Sequence, residues 1–290
     1  MLDSDITVSR MAGAQYHDFC GTFDGDGHTL TFNYGTSDEY ATEEYIAPFK
    51  YVSTVTPDDG SEVPTTIKNL HINGNIYTSN KYAAGLIACH WGTVNIENSR
   101  SSIIIHSDVE IDNNKDGTHG GFTGVQQNGT LNITGCVFDG KLLTTNGTIK
   151  CSGFVGYRSG GTANITDSIY APAVLGEGET EISDINSATF VRNGSAGNNC
   201  YYTRTLGTAQ GKLAHTITAG QDVTIDYGTA TNTYNVSGIT AYSKGLAYNS
   251  NFYAGDGDEV TLTLGYTGTP ETGYSNSGFT VNAGEVTATR

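Results

Sequence analysis

Short runs in which apolar and polar residues alternate, such as Leu70-His71-Ile72 and Leu131-Asn132-Ile133, recur through the first two hundred residues and are bounded by Gly, Asn, Asp and Ser. Side chains of a strand point alternately to its two faces, so this alternation predicts half-buried β-strands separated by tight turns. No stretch of useful length places apolar residues at the i, i+3, i+4, i+7 spacing of an amphipathic helix.

The runs are also related to one another. Residues 66–72, 95–99, 132–138 and 164–170 align without gaps, and their anchoring isoleucines, Ile67, Ile96, Ile133 and Ile165, are 29, 37 and 32 residues apart. A glycine before an apolar pair or apolar residue follows at Gly85-Leu86-Ile87, Gly121-Phe122-Thr123 and Gly153-Phe154-Val155. A Gly-Thr step then closes the unit at Gly92-Thr93, Gly129-Thr130 and Gly161-Thr162. A unit of about thirty residues with several short strands fits a propeller blade or one or more turns of a parallel β-helix. Blades usually take ~40 or more residues. The variable loops, with an apolar pair at a fixed place in each unit, favour the β-helix, in which equivalent side chains stack from one coil to the next. On that reading Ile67, Ile96, Ile133 and Ile165 form one internal ladder, and Leu86, Phe122 and Phe154 form another.

The repeat stops after Cys200-Tyr201-Tyr202. Beyond it, alternating runs such as His215-Thr216-Ile217-Thr218 and Glu259-Val260-Thr261-Leu262-Thr263-Leu264 are separated by glycine-rich turns. The expected organisation is a β-helix over residues 1–205 and a small antiparallel β module over residues 206–290, read as lacking a closing strand.

Charge narrows the partners. With 14 Lys plus Arg against 30 Asp plus Glu, the net charge is -16. Nucleic acid and anionic membrane surfaces need basic clusters, so neither is expected as a partner. No stretch approaches the ~18 apolar residues of a membrane-spanning helix, so no membrane insertion is expected. Met1 to Leu30 carries no basic start or apolar run, and any export signal is expected upstream. Many of the 38 glycines are assigned to turns and to the position before each apolar pair.

The candidate chemistry is sparse. Cys20, Cys89, Cys136, Cys151 and Cys200 lack the spacing of a zinc site and read as small buried hydrophobes, with a Cys136 to Cys151 disulfide as the alternative. Asp112, Asn114 and Asp116, followed by Gly117, fit the opening of a calcium loop, but the twelfth position is Thr123 rather than a bidentate Glu. Calcium is therefore a minor expectation and no other cofactor is expected. Asp24-Gly25-Asp26-Gly27 and Asp256-Gly257-Asp258-Glu259 read first as tight turns. His28, His71 and His119 read as surface or turn residues. Glycoside hydrolysis needs two facing carboxylates, whereas Asp139, Asp167 and Asp184 fall in isolated turns, and Arg100 and Arg158 lie far apart. No catalytic residue is assigned. The candidate binding residues are aromatic: Tyr77 and Tyr82 flank the loop before Gly85, and Trp91 stands beside a turn, where it either covers a coil end or packs under a loop, the reading that comes first, or stacks on a sugar ring.

The segment Gly21-Thr22-Phe23-Asp24-Gly25-Asp26-Gly27-His28-Thr29-Leu30, Ala47-Pro48-Phe49-Lys50-Tyr51-Val52 and the Gly-Leu/Phe units resemble bacterial proteins carrying GLUG-type motifs, over roughly residues 1–205. Ala47-Pro48-Phe49 departs from the Gly-apolar pattern. The resemblance implies a right-handed, single-stranded parallel β-helix in an exported or cell-surface adhesin-like protein of a gut-type bacterium. The expected function is non-catalytic contact with host or bacterial glycan, matrix or a surface protein. The alternatives are a polysaccharide lyase or glycoside hydrolase, favoured if two carboxylates meet in one cleft, and a structural stalk of a larger surface protein.

Overall fold

The computed structural model describes residues 1–110, 118–146, 149–182, 185–218, 222–226, 231–241, 245–248, 251–255, 258–266, 279–282 and 285–289. Among them there are strands and no helix. The chain divides into two compact units, Met1–Gly211 and Lys212–Arg290, with the boundary past the expected residue 205.

In the first unit the chain visits the same sheets in the same order again and again. Thr65–Lys68, His71–Asn73, Asn75–Thr78 and Ile87–His90 are followed by their counterparts Thr93–Glu97, Arg100–Ser101, Ile104–Ser107 and Thr123–Gln126. The cycle returns in Thr130–Thr134, Val137–Phe138, Lys141–Thr144 and Val155–Arg158. Each strand pairs in parallel with its counterparts in the neighbouring repeats. Equivalent side chains are therefore stacked at the parallel-strand spacing of about 4.8 Å.

The anchoring isoleucines occupy one such line: Ile67 is the register partner of Ile96, Ile96 of Ile133 and Ile133 of Ile165. All four are fully buried, and Phe23 extends the line to an earlier repeat. The second expected line also forms. The Leu86 amide donates to the Phe122 carbonyl at 3.1 Å and the Phe122 amide to the Phe154 carbonyl at 3.0 Å. The Phe122 and Phe154 rings lie 5.0 Å apart, and Phe190 continues the stack 4.7 Å from Phe154. Aromatic pairs at such separations add to area burial. The aberrant Ala47-Pro48-Phe49 joins this line, because Phe49 pairs with Ile87 and its amide donates to the Leu86 carbonyl at 3.0 Å.

The two recurrent glycines have different causes. Gly92, Gly129 and Gly161 turn the chain at φ of +76°, +79° and +74°, a region costly for residues with a Cβ. Gly85, Gly121 and Gly153 have no positive φ; a Cβ on each would lie 2.2, 2.0 and 2.2 Å from the carbonyl oxygens of Gly121, Gly153 and Thr189. They let neighbouring repeats close up behind the apolar pair. On the opposite face from the isoleucines, the Asn164 amide donates to Asn132 and the Asn132 amide to Asn95, each at 2.9 Å.

Three expectations need correction. His119 is fully buried in a two-residue strand paired with Cys151–Ser152, not in a surface loop. Its Nδ1 accepts the Ala83 amide at 3.3 Å and its Nε2 meets Ser107 Oγ at 2.8 Å. Cys136 and Cys151 are free thiols, so the alternative disulfide is absent. Cys20 is exposed, unlike the other four cysteines, which are buried as expected.

His90 is the buried residue least provided for. It stands in line between Val52 and Gln126, fully buried, and neither ring nitrogen has a hydrogen-bond partner; Gln126 Oε1 is likewise unpartnered. Burial pushes the His90 pKa down to about 3, because a charged ring has nothing there to replace its hydration.

In the second unit the pairing is antiparallel. Lys212–Thr218 pairs with Asn251–Gly255, which also pairs with Leu246–Tyr248. Asp222–Asp226, Thr231–Ala241, Glu259–Tyr266, Phe279–Asn282 and Glu285–Thr289 form a five-stranded sheet. Asp258 is nearly fully buried, accepting from Lys212 Nζ at 2.6 Å and from the Gly255 amide at 2.9 Å.

Phe154→Ala is expected to lower stability by about 3–5 kcal/mol through the cavity it leaves. Gly121→Ala is expected to lower it by about 1–3 kcal/mol through overpacking. Denaturant unfolding checks both. The folded chain takes up the His90 proton only near pH 3, whereas the unfolded chain takes it up below about 6.5. Between these values acid favours the unfolded state. The stability of the native chain relative to His90→Leu should therefore be constant above pH 7 and fall by on the order of 2 kcal/mol at pH 5. Parallel denaturant curves at the two pH values test this.

Candidate functional site

In the strand Phe49–Val52 the end residues Phe49 and Val52 are buried, while Lys50 and Tyr51 between them are half-buried. In the adjacent strand Cys89 is the register partner of Tyr51. Trp91 leaves the end of that strand with its amide donating to the Val52 carbonyl at 3.1 Å. This backbone bond brings the indole beside Tyr51, with ring centroids 5.9 Å apart and an edge-to-face angle of 84°. Tyr45 lies 5.3 Å from Tyr51 and stacks on Tyr82 at 5.1 Å. A continuous aromatic row runs Tyr82, Tyr45, Tyr51, Trp91.

The row borders an open cleft of about 560 Å³ lined by Tyr45, Tyr51 and Trp91 together with Gln15, Glu43, Glu44, Lys50, Cys89 and Gln127. Apolar rings with a few polar groups are the usual make-up of a small-molecule site. The expected binding residues thus divide. Trp91 lines the cleft, whereas Tyr82 joins the row only through its stack on Tyr45 and stands outside the lining. Tyr77 stands in the strand Asn75–Thr78, stacked on His106 at 4.1 Å and 5° and edge-on to Tyr40 at 5.5 Å, away from the lining of the cleft. Sequence reasoning missed Tyr45, Tyr51, Glu43 and Lys50, although the density of Tyr around the irregular Ala47-Pro48-Phe49 step marks the place.

Two carboxylates, the consecutive Glu43 and Glu44, line this cleft. Glu43 Oε1 accepts the Tyr34 hydroxyl at 2.7 Å, and that hydrogen bond holds the Glu43 carboxyl below the usual range. Glu44 pairs with Lys81 at 3.5 Å. Burial raises the Tyr45 and Tyr51 hydroxyls, and it pushes the Cys89 thiol up to about 12. Each displaced group moves away from neutrality, whereas a general acid or base works best near the operating pH. A glycosidase acid in particular needs a raised carboxyl.

A second constellation has the residue types of acyl-transfer chemistry. Ser102 Oγ donates to Asp139 Oδ1 at 2.5 Å and stands 2.9 Å from His71 Nε2, while Arg100 Nε donates to Asp139 Oδ2 at 2.8 Å. In a catalytic triad the imidazole stands between the serine and the carboxylate. Here the serine stands between them and gives its only proton to the carboxylate, so His71 is not placed to take it. These bonds tie adjacent strands together, and Asp139 is an ion-paired residue rather than an isolated turn residue.

The carboxylates considered for calcium are otherwise engaged or out of view. Asp24 Oδ1 accepts the Asp26 amide and the Asn69 amide group, each at 3.0 Å. Asp258 is held by Lys212 and Gly255. Asp112, Asn114 and Asp116, like Asp184 and Asp256, lie outside the described residues. Among the described residues no group of three or more His, Cys, Asp or Glu could hold a metal ion, and no helix is long and apolar enough to cross a membrane. No family model, curated protein or solved structure matches the chain.

Proposed function

We propose that this chain is an exported, cell-surface binding protein that holds glycan against the Tyr82, Tyr45, Tyr51 and Trp91 row, on the side of a right-handed parallel β-helix. The observation that carries this reading is the aromatic row bordering an open cleft, with carboxylate, amide and ammonium groups at its rim. Sugar rings offer C–H faces to aromatic surfaces and hydroxyls to polar groups, and this lining supplies both. The recurrent parallel registers, with the same sheets visited in each repeat, support the β-helix. The ion-paired Glu44 and the Glu43 carboxyl held low support binding without catalysis.

The presence of both glutamates in one cleft favours a polysaccharide-degrading enzyme as the second reading. An array of neutral and acidic glycans, with assays for released sugar, separates the two. Binding without release is expected; release of product overturns the non-catalytic reading. Silence on both leaves a structural stalk. Trp91→Ala and Tyr51→Ala should each weaken glycan binding about tenfold or more, the effect of removing ~1.4 kcal/mol. Tyr77→Ala should leave it unchanged. Calcium takes no part in this reading, so a chelator should leave the thermal midpoint where it was.

A further inference from the structure

The cleft beside Tyr51 does not end at the aromatic row. A neighbouring concavity of about 520 Å³ shares Gln15, Lys50 and Tyr51 with it and adds Arg10 and Tyr34 to the lining. No Asp or Glu lines this second concavity. That is unexpected in a chain with 30 acidic residues against 14 basic ones.

Among the described residues six Lys or Arg side chains close ion pairs with carboxylates, and neither Arg10 nor Lys50 is one of them. Lys50 lies over the Tyr51 ring at 5.9 Å, and the nearby Glu43 carboxylate is turned to the Tyr34 hydroxyl at 2.7 Å. Both cations line this concavity, and backbone bonds join the segments that carry them. The Ala12 amide donates to the Pro48 carbonyl and the Lys50 amide to the Ala12 carbonyl, each at 2.7 Å. The segment carrying Arg10 is thereby laced to the strand carrying Lys50. Gly13 completes the fit: at φ +80° it lies so close to the strand that a Cβ would come 2.4 Å from the Tyr51 carbonyl oxygen.

A guanidinium outside any ion pair, beside an ammonium that the Glu43 carboxylate offsets only in part, is suited to an anionic group of a ligand, which arginine can grip with two parallel hydrogen bonds. We infer that Arg10 and Lys50 form an anion subsite adjoining the aromatic row, and that the glycan held there is acidic, its carboxylate or sulfate lying at Arg10 and Lys50 while a neighbouring ring lies on Tyr51 and Trp91. The inference rests on the glycan-binding reading and narrows it to a class of sugar. It is consistent with the net charge of -16, because a single anionic group at a local pair of cations differs from the extended polyanions that this charge repels.

Trp91 is the only tryptophan in the chain, so its fluorescence reports occupancy of the aromatic row directly. Oligogalacturonate, the same oligomer as its methyl ester, and a sulfated galactan oligomer are titrated against the intact chain and against Arg10→Gln and Lys50→Gln. The free acid or the sulfated sugar should bind at least tenfold more tightly than the methyl ester, and which of the two binds identifies the anion. Each variant should bring that ligand down to the level of the ester, and Lys50→Arg should restore it. Circular dichroism of the variants checks that the fold is retained. Equal binding of acid and ester, variants that leave acidic binding intact, or array binding confined to neutral glycans overturns the anion subsite and leaves the glycan reading standing. Absence of binding to every glycan on the array and to all three oligomers overturns both.

Discussion

The first unit depends on one constraint: each residue of a repeat must pack against its own counterpart a strand spacing away. A position in a globular core needs a neighbour of complementary shape; a position here needs a residue that tolerates a copy of itself. Isoleucine does so at 67, 96, 133 and 165, a flat ring does so at 122, 154 and 190, and asparagine does so at 95, 132 and 164 because its amide both donates and accepts. Where even a methyl group would strike the next repeat's carbonyl, only glycine remains, as at 85, 121 and 153. The glycine excess is thus as much a matter of backbone approach as of turns.

The same constraint places the candidate site. Ladder positions have little freedom, so variety is confined to the segments between them and to the side chains that project away from the interior. The cleft is made of such material: Gln15, Glu43 and Tyr45 come from irregular stretches, while Tyr51, Trp91 and Gln127 come from strands or the residues just after them. A rigid ladder holds one wall and longer loops supply the rest.

This division explains what could be read from the residues alone. The isoleucine and phenylalanine lines are legible because gapless local similarity translates directly into register. The aromatic row was half legible: Tyr82 and Trp91 stand beside recognisable repeat landmarks. Tyr45 and Tyr51 reach them through Ala47-Pro48-Phe49, which lacks the recurrent glycine and finds its place only through the pairing of Phe49 with Ile87. His119 misleads because Gly120-Gly121 resembles a loop, when those glycines are there to admit a neighbouring backbone. Tyr77 misleads in the opposite sense, since its stacking partner His106 lies one repeat away and draws it to another sheet.

The turn glycines at 92, 129 and 161 carry a consequence for how such a chain changes over generations. Each stands at the same place in its repeat and in the same backbone conformation, and Gly129 and Gly161 each lie against the turn glycine of the repeat before. Unequal recombination between two of them, joining Gly92 directly to Thr130, would excise one whole repeat and bring Ile67 and Ile133 into the pairing that Ile96 had mediated. Length is then a heritable variable that can be altered in single steps without a new core having to be invented, while the loops lost or gained with each repeat redraw the outer surface.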